Sequence, residues 1–520
     1  MSKAKELFTA LWDAADNMRQ KMSADAYKDY LLGLVFYKSL SDKYLLAASD
    51  LMELGTNISI AAAQENYEKA ETQEIFPTLC DELKKTFGCV IKPKYTFQAF
   101  FNQINSSDFH LENLSQAFRE IETSQGSTYE GLFDDFDVNS KDLGKTPIEC
   151  NMMISSVIKS LANIRFADYG EDALGDAYEY LIAQFASESG KKAGEFYTPQ
   201  AVSKLITKIV TYGRENKEGF TIYDPACGSG SLLLQVKHCI SDKYSHLIHF
   251  FGQEVNNQTF NLARMNMMLH RVPGKFQHIN NGDTLADDWP TDEPTNFDAC
   301  VMNPPYSLKW KAPDSLLTDV RYARYEKLAP KSAADYAFLL HGYYHLKNDG
   351  VMGIVLPHGV LFRGNAEGVI RKHLVDDGSI YAIIGLPANL FFNTGIPTCI
   401  VVLKKNNTAR DILFIDASKD FVKEKARNYL SDENIEKIFD AIKNRKDIEK
   451  YAHLATYEEI VENDYNLNIP RYVDTTEEET PIDLNAEFQT RKDLNREEKE
   501  ISNELNSYFK ELGLNFDLGV

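Results

Sequence analysis

The chain has 520 residues, 43 % hydrophobic and 26 % charged, with 77 acidic against 56 basic side chains and a formal net charge of −21. This length allows two or three domains, and with no apolar run near the ~20 residues of a membrane span the composition points to a soluble globular protein. A field this negative repels phosphate, so a chain that grips DNA alone is disfavoured, and DNA work would call for a more basic partner.

The N-terminus, MSKAKELFTALWDAADNM, has no signal-peptide core, so a cytoplasmic location is expected. The seven cysteines are scattered without a C-x-x-C pair and read as reduced core thiols. No metal-ligand cluster stands out. Residues 1 to about 165 are expected to be helical, with Leu7, Leu11 and Ala14, then Leu32, Val35, Phe36 and Leu40, recurring at helix spacing. A further helix runs from Glu171 through Leu174, Tyr178, Leu181 and Phe185 to a stop at Ser189-Gly190.

From about Phe220 short apolar runs alternate with helical stretches: FTIYD, HFFGQEV, FDACVMN, VMGIVLP, IYAIIGLP, TCIVVLKK and DILFIDAS. That alternation predicts an α/β sheet, mostly parallel, with helices on both faces. A charged helical stretch, KDFVKEKARNYLSDENIEKIFDAI, follows, and YNLNIPRYVDTTEEETP reads as an extended connector. Near the end, Leu494, Ile501, Leu505, Tyr508 and Leu512 form one apolar seam on a charged helix. Such a helix either folds back on its own domain or pairs with a partner chain. The expected division is 1–165 helical, 166–475 α/β and 476–520 helical tail.

Three constellations carry chemistry. In TIYDPACGSGSLLLQV a strand ends at Asp224, a loop carries Gly228 and Gly230, and a helix begins at Ser231. Glycines let a backbone approach a ligand, and a helix start offers free N–H groups. Leu233 stands where G-x-G-x-x-G would need its third glycine, which argues against a dinucleotide pyrophosphate. Glu254, ending the next strand, is placed to accept hydrogen bonds from ribose hydroxyls, and Asp283 in NNGDTL is placed to face an adenine ring. The third is Asn303-Pro304-Pro305-Tyr306 at the end of an apolar strand. The prolines stiffen the turn, the Asn303 amide oxygen and the Pro304 carbonyl are acceptors, and an exposed Tyr306 ring offers a stacking face. Two acceptors and a flat face suit a planar molecule held by a ring amino group.

DPACGSG, FGQEV, GDT and NPPY in this order resemble S-adenosylmethionine-dependent methyltransferases acting on DNA adenine. LLGLVFYKSLSDKY, KSAADYAFLLHGYYHLKNDG, VMGIVLPHGVLFRG, IIGLPANLFFNTGIPTCIVVL and YNLNIPRYV extend the resemblance to the modification subunits of type I restriction-modification systems. The resemblance implies a Rossmann-like class I methyltransferase sheet over 166–475, between the N-terminal helical domain and the helical tail. It implies S-adenosylmethionine as cofactor, DNA as substrate and the N6 amino group of a flipped-out adenine as target. It also implies a specificity subunit that reads the sequence, usually with two modification subunits, and a restriction subunit for cleavage. By the same likeness Glu195, Phe196, Tyr197, Thr198, Pro199 and Gln200, with Ser229, Gly230, Ser231 and Glu254, would line the cofactor site. Asn303, Pro304 and Tyr306 would hold the target base, with Phe391 or Phe392 against its other face. N-P-P-Y also occurs in enzymes that methylate protein glutamine or RNA, N4 of cytosine is a related target, and a scaffold without cofactor is a reading of another class.

Overall fold

The helix α1 (Ala24–Leu51) is buried on nearly every side: Leu31, Leu32, Leu34, Val35, Phe36 and Tyr37 are all at most 3 % exposed. A helix that is apolar all round belongs inside a core, and α1 is the axis of the N-terminal helices. The helix Lys3–Ala14 lays Leu7, Leu11 and Ala14 into the same core, as does α2 (Ala173–Glu188) with Leu174, Tyr178, Leu181 and Phe185. The expected stop of α2 at Ser189-Gly190 lies outside the described residues. This computed structural model describes residues 3–124, 128–170, 172–188, 197–291, 296–391, 395–424, 427–476 and 483–516. They fall into two compact units, Met1–Val473 and Asp474–Val520.

After α3 (Gln200–Thr211) comes the sheet: β1 (Thr221–Asp224), β2 (His249–Glu254), β3 (Gln277–Asn281), β4 (Phe297–Met302), β5 (Leu346–Pro357), β6 (Ile380–Gly385), β7 (Thr398–Lys404), β8 (Ile412–Asp416) and β9 (Ala452–Ala455). Their order across the sheet is β3-β2-β1-β4-β5-β7-β6-β8-β9. The pairs β3-β2, β2-β1, β1-β4, β4-β5 and β6-β8 are parallel. Strand β7 runs antiparallel between β5 and β6, and β9 runs antiparallel to β8. Strand order reverses between β1 and β4, and the crevice outside such a switch point is where open α/β sheets bind ligands. Beneath that crevice Asp298 on β4 is fully buried. It accepts hydrogen bonds from the Thr221 N–H and hydroxyl at 3.0 Å, from Lys217 at 2.5 Å and from Lys347 at 3.0 Å. This cluster pins the start of β1 to β4.

Two stretches differ from expectation. The region expected to be helical from Lys419 opens with a short antiparallel pair, Val422–Lys423 with Asn428–Tyr429, and its helix begins only at Asp432. Ser431 sets that start through a reciprocal capping box with Asn434. The stretch YNLNIPRYV is packed, not a free connector: Leu467, Ile469 and Tyr472 are buried, Tyr472 stacks on Phe414 at 3.9 Å and 7°, and the Leu467 N–H donates to the Leu361 carbonyl. Its alternating apolar residues find a core, so the connector starts after Val473.

In the second unit the helix Leu484–Glu511 is capped by Asp483, which accepts from the N–H groups of Asn485 and Ala486. The expected seam, Leu494, Ile501, Leu505, Tyr508 and Leu512, is exposed. All seven cysteines are free thiols. No helix among the described residues is long and apolar enough to cross a membrane.

Candidate active site

Asp224 ends β1 and is 1 % exposed, and its Oδ1 accepts the Ala226 N–H at 2.9 Å. Burial pushes its carboxyl up to about 8, and the negative charge of Glu254 adds to the rise. Gly228 and Gly230 take φ of +55° and +76°, the left-handed region that favours glycine. A Cβ on Gly230 would sit 3.2 Å from Met267 Cε, whereas one on Gly228 would meet open space. The helix beginning at Ser231 is one α turn, Ser231–Leu234, continued by a 3-10 turn. It is therefore a smaller source of helix dipole than the apolar run implied. Ser229 and Ser231 hydroxyls lie 3.0 Å apart, and the Asn266 side-chain amide donates to the Ser229 carbonyl at 3.0 Å.

Glu254, at the end of β2, holds the loop from the side: Oε2 accepts the Gly228 N–H at 3.1 Å and Oε1 the Asn256 N–H at 2.8 Å. Beyond β3, exposed Asp283 accepts the Leu285 N–H, and the Thr284 hydroxyl donates to the Pro225 carbonyl at 2.5 Å. The ends of β1, β2 and β3 thus meet around the glycine loop.

At the end of β4, Asn303 is 8 % exposed. Its Nδ2 donates to Thr198 Oγ1 at 3.0 Å, and its Oδ1 accepts the Tyr306 hydroxyl at 2.7 Å. The first bond joins residues 105 apart and brings the stretch Tyr197-Thr198-Pro199 onto the Asn-Pro-Pro-Tyr turn. Pro304 is buried and Pro305 half-buried. Ser307, at φ +51°, donates its N–H to Asp335, the first residue of the helix Asp335–Tyr344. The Tyr306 ring does not project as expected. It is half-buried, edge-to-face with Phe391 at 6.3 Å and 79°, and burial raises its phenol well above the usual range. Its hydroxyl has a partner within the turn, which a free ring would lack. Glu195, Phe196 and Phe392 lie outside the described residues. Tyr197 is half-buried beside Ser231, and Gln200 is exposed at the start of α3.

Behind β1 lies a network not read from the sequence. Asp288, His341 and His345 bring ligand-type atoms within 4.8 Å of one another. Arg321, itself buried, points NH1 at His341 Nδ1 (3.1 Å) and at the Thr284 carbonyl (3.0 Å), and its Nε is 3.9 Å from Asp288. The guanidinium is thus the cation of this cluster. With Nδ1 accepting from Arg321, the proton of neutral His341 sits on Nε2 and is donated to the Tyr223 hydroxyl at 2.9 Å, which donates to the Trp289 carbonyl at 2.7 Å. The residues are scattered between 223 and 345, so no local motif announces them.

A sheet that reverses at β1, a glycine loop with an acid at the next strand end and Asn-Pro-Pro-Tyr on the neighbouring strand define a class I S-adenosylmethionine-dependent methyltransferase. The N-6 DNA Methylase model matches residues 169–480, and the HsdM N-terminal domain model matches 7–161. The chain is 34 % identical to the type I restriction enzyme MpnII methylase subunit of Mycoplasma pneumoniae, over 98 % of this chain and 96 % of the relative. It is 32 % identical to the MjaVII methylase subunit of Methanocaldococcus jannaschii, over 92 % and 80 %. A crystal structure of a type I restriction-modification methyltransferase subunit from Streptococcus thermophilus superposes with a TM-score of 0.88 at 56 % identity, covering 91 % of this chain and all of that one. This chain belongs to the N-6 DNA methylase family, among the methylase subunits of type I restriction enzymes. Of the substrates that N-P-P-Y left open, the family selects adenine in DNA.

The residues present suit the cofactor of that family. Gly228 leaves open space on its Cβ side, Glu254 stands beside it, and next to Ser231 the buried Glu179 Oε1 and Asn266 Oδ1 have no hydrogen-bond partner among the described residues.

Proposed function

We propose that the crevice over β1 and β4 is where this subunit methylates the N6 amino group of an adenine rotated out of DNA. The single observation that supports this reading most is the Thr198–Asn303 bond, which joins the stretch before α3 to the catalytic turn beside the glycine loop. In this reading Glu195 to Gln200, Asp224, Gly228 to Ser231, Glu254 and Asp283 form the cofactor half, and Asn303 to Tyr306 the base half. Glu254 holds the ribose hydroxyls, Asp283 faces the adenine end, and Phe391 closes the base pocket behind Tyr306. Residues 1–165 and 476–520 serve assembly, on either side of a catalytic domain at 166–475.

Rotating the base out of the stack costs a few kcal/mol. Stacking on Tyr306 and hydrogen bonds from the amino group to the Asn303 oxygen and the Pro304 carbonyl offset that cost. The bound cofactor supplies an electrophilic methyl on a sulfonium. An exocyclic nitrogen is a poor nucleophile because its lone pair is delocalised into the ring. Two acceptors on its hydrogens favour a pyramidal nitrogen with a localised pair, and the turn holds that pair in line with the methyl. Positive charge then grows on nitrogen, against preorganised oxygens. The proton becomes acidic once the methyl is attached, so no strong base is required.

The charge of −21 supports leaving sequence reading and much of the phosphate grip to a specificity subunit; by family likeness two copies of this chain join one such subunit, with a restriction subunit for cleavage. The location is cytoplasmic, where the DNA is. Expression with and without the neighbouring specificity gene, followed by methylome sequencing, tests the whole. N6-methyladenine at one sequence, only when both genes are present, is the expected result; site-specific methylation by this chain alone would overturn it.

A further inference from the structure

Glu179 lies on α2, a helix of the N-terminal core, yet its carboxyl faces the glycine loop. Ser231 and Asn266 are within its hydrogen-bonding reach, and Tyr197 lies beside both Glu179 and Ser231. Asn266 is fully buried and already holds the Ser229 carbonyl. Across from the carboxyl is His270, with Nε2 at 3.9 Å from Glu179 Oε1, too far for a hydrogen bond. Gly175 makes room for that ring: a Cβ there would come within 2.9 Å of it. Glu179 Oε1, Asn266 Oδ1 and His270 Nε2 are all buried without a hydrogen-bond partner among the described residues. Once Glu179 is ionised, its Oε1 and the Asn266 amide oxygen are buried acceptors with no donor among the described residues. Buried acceptors left unpaired are costly, and a cluster of them needs an explanation.

The position indicates the donor. Glu254 and Asp283 occupy the side of the glycine loop toward β2 and β3, where the nucleoside end of the cofactor belongs. Glu179 meets the loop at Ser231 and Tyr197, and the residue after Tyr197 is bonded to the turn ending β4. A ligand that crosses the loop from Glu254 toward β4 presents its amino-acid end on this side. We propose that Glu179 binds the ammonium group of the cofactor's amino-acid end, an assignment that rests on residues 228–231 being the cofactor loop.

A proton is linked to this step. Burial, helped by the Asp176 charge one turn away, pushes Glu179 up to about 8, while Ser231 and Asn266 act in the opposite sense. His270 is pushed down to about 3 by burial and by Lys237 and His238 nearby, so it stays neutral. Free Glu179 is therefore mostly a carboxylic acid at pH 7. Pairing with an ammonium favours the carboxylate, and the carboxylic proton leaves to solvent, so one proton is released for each ion pair formed. The release fades as the pH rises past about 8, where the free carboxyl is already ionised.

Calorimetry in buffers of different ionisation enthalpy separates this role from a structural one. Three ligands are titrated into the wild type and Glu179→Gln: S-adenosylmethionine; S-adenosylhomocysteine, with the same amino-acid end and no sulfonium charge; and 5′-methylthioadenosine, without that end. The expected result is an affinity loss of about 10–100-fold for the first two in the variant, as for one charge-assisted contact, and equal affinity for the third. Wild type releases close to one proton per ligand at pH 7 for the first two, and the variant loses that release. Unchanged affinity for S-adenosylhomocysteine, or an equal loss for 5′-methylthioadenosine, overturns the assignment and returns Glu179 to packing between helices. A wild-type protein that binds none of the three overturns the cofactor loop itself.

Discussion

Replacing Asn303 by alanine separates the two halves of the site. The side chain donates to Thr198 Oγ1 at 3.0 Å and accepts from the Tyr306 hydroxyl at 2.7 Å. Losing both leaves two hydroxyls to find other partners, a stability cost of about 1–3 kcal/mol. The catalytic cost is larger, because a preorganised acceptor aimed at the reacting nitrogen disappears. Removal of one such group lowers kcat by ~10²–10³. Cofactor affinity changes less, since Asn303 is linked to the cofactor half through Thr198; a shift of at most about 1 kcal/mol is expected. The assay is transfer of a tritiated methyl group to cognate DNA by the complex with its specificity subunit, under single-turnover conditions. Calorimetry with S-adenosylmethionine and a thermal melt run alongside. More than half of the wild-type rate retained, or cofactor affinity falling as far as the rate, would refute the role given to the turn.

Glu254→Ala removes a carboxylate that also holds the Gly228 and Asn256 N–H groups, and calorimetry should show S-adenosylmethionine binding weakened by about 1.5–3 kcal/mol; equal affinity would remove Glu254 from the site. Alone at physiological salt the chain should give no sequence-specific gel shift, a specificity subunit should restore one, and truncation from Leu494 should weaken assembly more than cofactor binding. Specific binding by the lone chain, or full assembly by the truncated pair, counts against this. In Asp298, burial is outweighed by Lys217, the Thr221 N–H and Lys347, so its folded pKa lies below its unfolded value. Its contribution is therefore present above the unfolded value near 3.8 and lost as the pH falls through the folded one. Asp298→Asn should cost about 2–4 kcal/mol in denaturant melts at pH 7, less than a dry ion pair because both lysines are about a third exposed. The gap should narrow below about pH 4, and a constant difference from pH 3 to 7 would refute the linkage.

The alternation of apolar runs was enough to locate β1, β2 and β4 to β8, because strands buried on both faces read as unbroken Val, Ile and Leu. Periodicity carries no direction, so the antiparallel insertion of TCIVVLKK between β5 and β6 was not legible. Asp224, Glu254 and Asn303 were visible because each closes a strand at a sharp change of composition. Thr198 drew attention only by resemblance, and its bond to Asn303 is a long-range fact. Glu179 is not legible because an acid between Tyr178 and Tyr180, one turn from Asp176, looks like an exposed position until the neighbouring helices are in place. The same holds for Arg321, whose partners Thr284, Asp288 and His341 lie 20 or more residues away in the chain. Leu467, Ile469 and Tyr472 read as a connector in the sequence because Pro470 lies among them and an acidic run with Pro481 follows.

The oxygen of Asn303 is already engaged when no base is present, since the Tyr306 hydroxyl donates to it. In the proposed role of this turn, docking of a base is therefore an exchange, in which one donor evicts another. An adenine amino group completes the trade and releases the tyrosine hydroxyl. A base edge with no N–H to offer there breaks the internal bond and gives nothing back, a deficit of about 1–3 kcal/mol. The turn thus carries its own competitor, and discrimination between bases begins before any cofactor is consumed.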